Sequence, residues 1–165
     1  MRTMMTGPGS RPLARTILGC FYGYFFLHWI TGILLFREKL GFSYASVVRY
    51  YRGDDELFMN PRSFAGLLEV THFHLFAMGL FFVVFSHLLL FTPLREGLKR
   101  GLIGGLATAI CTDIAAGWLV TYAGAPFAWL KLAAFWLLQV LCLSLLSALT
   151  RALLVRHPPL ATLPR

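Results

Sequence analysis

Charge is what this sequence has least of. Of its 165 residues only 13% are Asp, Glu, Lys or Arg, where a soluble domain carries about a quarter. With 58% hydrophobic residues and a mean hydropathy of +0.69, the chain needs lipid as part of its solvent. Cysteine is scarce as well. Cys20, Cys111 and Cys142 all fall in apolar stretches, with no CxxC, no CxxCH and no metal-ligand spacing, so they read as reduced packing residues and covalent c-type haem attachment is excluded. A P-loop, a dinucleotide glycine fingerprint, a GxSxG elbow and a CaaX terminus are also missing, which removes the functions those motifs carry. The net charge of +8 comes with no basic-aromatic nucleic-acid motif; it reads as anchoring against anionic lipid headgroups, and no nucleic-acid partner is expected.

What is present is four apolar segments, about 16–36, 63–91, 102–125 and 126–155, each near or above the roughly 20 residues that cross a bilayer as a helix. The predicted fold class is all-α, a four-helix transmembrane bundle forming a single integral membrane domain over residues 1–165. Arg2, Arg11 and Arg15 precede the first segment as in a signal peptide. The segment exceeds the usual apolar core of about 7–15 residues and no small-x-small site follows, so a retained span is expected. The N-terminal arm, Arg95, Lys99 and Arg100, and Arg151 and Arg156 fall on one side, which predicts cytoplasmic N- and C-termini.

The stretch between the first two spans, 37–62, is expected to fold outside the membrane. Ser43 to Tyr51 suits a short helix with Ser43 as N-cap and Gly53 as stop, its face made of Tyr44, Val47, Val48 and Tyr51. Such a helix would lie on the outer surface with its tyrosines at headgroup level. Gly101 and Gly105 have the GxxxG spacing of close helix contacts, as do Gly19 and Gly23.

Ionisable residues inside a span are costly, and each is a candidate for function. They are His28 in the first span, Glu69, His72, His74 and His87 in the second, Asp113 in the third and Lys131 in the fourth. His28 lies nine residues before Arg37 and His72 nine after Ser63, which puts both roughly 13 Å inside. Antiparallel neighbours carrying imidazoles at one depth can ligate a common metal, and a b-type haem needs such a pair with a flat apolar slot between. Phe25, Phe26, Trp29, Phe73 and Phe76 can wall that slot. His72 and His74 point about 200° apart, so only one faces the first span; His72 is favoured, with His74 as alternate.

Asp113 lies nine residues before Tyr122, at the same depth, where it can orient a ligating imidazole or bind a metal itself. Lys131 and Glu69 share a shallower level and can pair, or Lys131 can meet a haem propionate. His87, about 22 Å beyond His72, has no histidine opposite; it belongs to a structural contact or a quinone pocket, so one haem is expected and not two. Two other readings stay open. One is a non-haem metal site made from Glu69, His72, His74 and Asp113, with the Glu-x-x-His spacing of carboxylate-bridged metal bundles. The other is a cofactor-free structural or assembly subunit whose polar residues link helices.

In its four spans and histidine placement the chain resembles the small four-helix membrane cytochromes b that anchor respiratory complexes. The resemblance is architectural and includes no family-specific signature. It implies a non-catalytic electron-transfer subunit of a larger membrane complex, in a bacterial inner membrane. Such a subunit would pass electrons between the quinone pool and a periplasmic or outer-face redox protein.

Overall fold

The computed structural model describes residues 10–154, and the predicted positions of both chain termini lie outside that range. Helices are the regular structure throughout the described residues: α1 (Ser10–Lys39), α2 (Tyr44–Arg52), α3 (Phe64–Leu90), α4 (Glu96–Tyr122) and α5 (Phe127–Leu154), with a single 3-10 turn at Asp55–Leu57. Four of them, α1, α3, α4 and α5, are long and apolar enough to cross a membrane. Contacts divide the chain into two compact units, Met1–Phe42 and Ser43–Arg165.

The first unit is α1 and its exit. Thr31 returns its hydroxyl to the carbonyls of Leu27 and His28 at 2.8 and 3.0 Å, which satisfies a polar group inside an apolar helix without a tertiary partner. The helix ends where Leu40 and Gly41 both donate to the Phe36 carbonyl, and Phe36 stacks on Phe42.

In the second unit α4 and α5 form the tightest hairpin, α3 packs on α4, and α2 lies against α4 and α5. The buried stripe of α4, Leu106, Ala109, Ile110, Asp113, Ala116, Gly117 and Val120, follows the i, i+3, i+4, i+7 spacing of one helix face. Ala109, Ala116 and Ala128 are fully buried; such small side chains let backbones come close where lipid provides no hydrophobic drive. Of the two GxxxG glycines in α4, Gly105 meets Leu141 of α5, while a Cβ at Gly101 would meet nothing within 4 Å.

The short helix has the predicted cap and stop. The Ser43 hydroxyl accepts from the Ser46 amide, Ser46 bonds back to the cap, and Gly53 (φ 78°) ends the helix by donating to Arg49. A side chain at Gly53 would collide with the backbone of Met59 and Pro61, so the position requires glycine on both counts. Val47 and Tyr51 are buried and Tyr44 and Val48 half-buried. Tyr51 thus sits in the interior and not among headgroups. The third span also departs from expectation. Lys99 and Arg100 belong to the first turns of α4, a helix of 27 residues about 40 Å long, and the buried Lys99 pairs with Glu96 at 3.1 Å.

Candidate functional site

The polar centre of the second unit lies where α2 meets the first half of α3, the second half of α4 and the first half of α5. Asp113 and Lys131 are both buried there, and Lys131 Nζ lies 2.8 Å from Asp113 Oδ1. The same ammonium donates to the backbone carbonyl of Asp113 at 2.9 Å. Four carbons of lysine stem bridge the difference in depth between the two residues, which is why Lys131 finds Asp113 and not Glu69. Glu69 is exposed, and the expected Glu69–Lys131 pair does not form. The ammonium thus bridges the side chain and the backbone of one residue, and no other donor among the described residues reaches this buried oxygen.

Around the pair is a cavity of about 30 Å3, with walls that include Tyr51, Arg62, His74 and Trp118 as well as Asp113 and Lys131. Tyr51 reaches it because α4 has Gly117 at the crossing: a Cβ there would stand 2.9 Å from the Tyr51 hydroxyl. Burial, and after it the nearby Asp113 carboxylate, push the Tyr51 phenol well above its usual value. Arg62 holds the outer edge. Its guanidinium lies 4.3 Å from the centre of the Tyr50 ring and donates to the Tyr50 hydroxyl, and its amide donates to the Tyr51 carbonyl. Trp118 Nε1 donates to Thr71 Oγ1 at 2.8 Å, which ties α4 to α3.

The two histidines one step apart on α3 have different surroundings. His74 is half-buried on the cavity, and its Nδ1 meets the Val70 carbonyl at 2.8 Å. A carbonyl only accepts, so Nδ1 donates in this contact. His72 is exposed, with its ring against the edge of Phe73 at 6.1 Å, and among the described residues its nitrogens have no hydrogen-bond partner. His87 is exposed near the far end of α3 against Phe91. His28 belongs to α1 in the first unit, where it is half-buried.

The second unit therefore brings His74, Asp113 and Lys131 together, and leaves Glu69, His72 and His87 on exposed parts of α3. Glu69, His72, His74 and Asp113 do not converge, and among the described residues no group of three or more His, Cys, Asp and Glu side chains is placed to hold a metal. Tyr51, Gly117 and the Trp118–Thr71 bond were not foreseen as parts of the site. The only sequence signal for them is the run of small residues Ala115, Ala116 and Gly117 before Trp118.

Residues 41–159 match a protein family described as a transmembrane helical domain. No curated protein and no solved structure matches the chain.

Proposed function

The chain belongs to the Aq_1264_TM family of transmembrane helical domains, and on that premise we propose that it is a membrane-embedded electron-transfer subunit taking one b-type haem, which His72 of α3 would help to hold. The observation that carries this reading is the imidazole of His72, whose nitrogens have no hydrogen-bond partner among the described residues. His72 is eight residues into α3, about 12 Å along the axis, and a polar side chain at that depth in a membrane needs a partner. His74 is already engaged on the opposite side of the helix. Phe73 and Phe76 are exposed beside His72, and flat apolar side chains suit the face of a porphyrin.

The second histidine for this role is the one the sequence offers at matching depth, His28. His28 and His72 would hold the haem, which would then supply a one-electron carrier. Electrons would pass between the quinone pool and an outer-face redox protein, within a larger complex of a bacterial inner membrane. Lys131 has no role toward a propionate in this reading, because Asp113 already holds it.

The test is the reduced-minus-oxidised visible spectrum and pyridine haemochrome of the purified chain after haem-supplemented expression. Sharp b-type bands are expected in the wild type and in His74→Ala, and their loss in His72→Ala. A folded wild type without Soret absorption would reject the haem. That result would favour the second reading, a cofactor-free structural or assembly subunit, for which the specific support is that Asp113–Lys131 and Trp118–Thr71 each tie two helices together.

A further inference from the structure

The cavity beside Asp113 and Lys131 has no part in the haem reading. Its dimensions and chemistry point to a different ligand. A water molecule needs about 10–15 Å3 of such space and two to four polar partners; the cavity has about 30 Å3. The titratable and charged groups on its walls are Tyr50 and Tyr51 from α2, Arg62 from the segment before α3, His74 from α3, Asp113 from α4 and Lys131 from α5.

Two of these groups have hydrogen-bonding capacity left over. An ammonium has three donors, and Lys131 meets the Asp113 carbonyl and Oδ1, which leaves one donor over. Asp113 Oδ1, on a side chain only 9% exposed, has the Lys131 ammonium at 2.8 Å and no other donor among the described residues. A carboxylate oxygen can accept more than one hydrogen bond, and a group that can both donate and accept fills the capacity that remains. Water fits; a metal ion would face two cations, Lys131 and Arg62, at close quarters.

We propose that this cavity is a hydration site in which one or two waters donate to Asp113 Oδ1 and bridge it to the Tyr51 hydroxyl, and through which the outer aqueous phase exchanges protons with the ion pair. The cavity walls run from Tyr50 and Arg62, which are half-buried, to Asp113 and Lys131, which are buried, so the cavity reaches from α2 and the segment before α3 into the span. Separately, the phenol of Tyr51 senses the Asp113 charge, which agrees with their sharing one small space. The inference stands on this unit alone and is independent of whether a haem binds.

Infrared spectra of the full chain in lipid bilayers, recorded in H2-16O, H2-18O and D2O, test it. An internal O–H stretching band that shifts with oxygen-18 is expected in the wild type. It should be absent in the double variant Asp113→Leu/Lys131→Met, which removes both charges together so that neither is stranded. Tyr51→Phe should keep the band and move it. Transfer to D2O should convert the band to O–D as fast as buffer is exchanged. A folded wild type with no oxygen-18-sensitive internal band would overturn the proposal. So would a band unchanged in both variants, and an O–H band that survives prolonged exposure to D2O would overturn the exchange route.

Discussion

The energetics of the second unit turn on one pair of residues. A buried ion pair contributes little beyond what well-packed apolar residues would, but losing one member strands the other charge. Asp113→Ala and Lys131→Ala are each expected to lower stability by about 3–5 kcal/mol, since both side chains are about nine-tenths buried. Asp113→Leu/Lys131→Met should cost less than either single change. Unfolding of the three variants in detergent checks this, and a double variant as unstable as the sum of the singles would mean the two residues act separately. The sequence shows both residues to be intramembrane charges, because charge is so rare there. It does not show that they pair with each other, since depth counted along two helices leaves out the reach of a lysine stem.

Tyr51 makes a second residue-scale prediction, on pH. Its phenol is held protonated in the folded chain by burial, with Asp113 adding to the effect, whereas an ordinary phenol ionises near 10.0. Above that value the unfolded chain loses a proton that the folded chain keeps. Stability is therefore fully present below pH 10 and falls as pH rises beyond it. The wild type should lose stability relative to Tyr51→Phe across that alkaline range, measured as the difference between the two so that other groups cancel. Gly117→Ala should also destabilise, by about 1–3 kcal/mol as an overpacked contact, and Tyr51→Phe should recover part of that loss by removing the hydroxyl the new methyl would meet.

At the scale of elements, local chemistry is what can be read in advance. The start and stop of α2 are legible because a serine cap, its Ser46 partner and a glycine with positive φ act within a few residues; Ser43→Ala should cost about 1 kcal/mol. The turn that follows α2 is less legible. Asp54 caps the 3-10 turn through the amides of Glu56 and Leu57, pairs with Arg49 at 2.9 Å and exchanges backbone hydrogen bonds with Met59. The closure of that loop forces Phe58 to φ 54°, a left-handed conformation, with its side chain 94% exposed. No propensity of phenylalanine predicts this; the surrounding bonds impose it. Phe58→Gly should stabilise the chain by about 1 kcal/mol, because the Cβ that makes the left-handed region costly is removed and almost no packing is lost. A neutral or destabilising result in the same unfolding assay would show that the exposed ring is held by contacts with lipid.

At the scale of the molecule, the spans are legible from composition, while the partners of their polar residues are not, because those depend on which faces meet. The family match opens at Gly41 and the second unit at Ser43, so the domain recognised as a family is the unit that contains the ion pair and the cavity. Within it, α3 crosses between two connections, 53–63 and 91–95, which must lie on opposite sides of a bilayer. Arg95, Arg100 and Arg151 gather at the second side, and lysine and arginine near span ends favour the cytoplasm. On that rule the cavity is expected to face the outer side. Cysteine labelling decides it. In a chain without Cys20 and Cys111, the native thiols that are exposed, a membrane-impermeant maleimide should label Phe58→Cys in intact spheroplasts. It should label Gly97→Cys, where a side chain meets nothing within 4 Å, only after permeabilisation. The reverse pattern would place Tyr51 and the hydration site at the cytoplasmic face, and would make the cytoplasm the source of any proton that reaches Asp113.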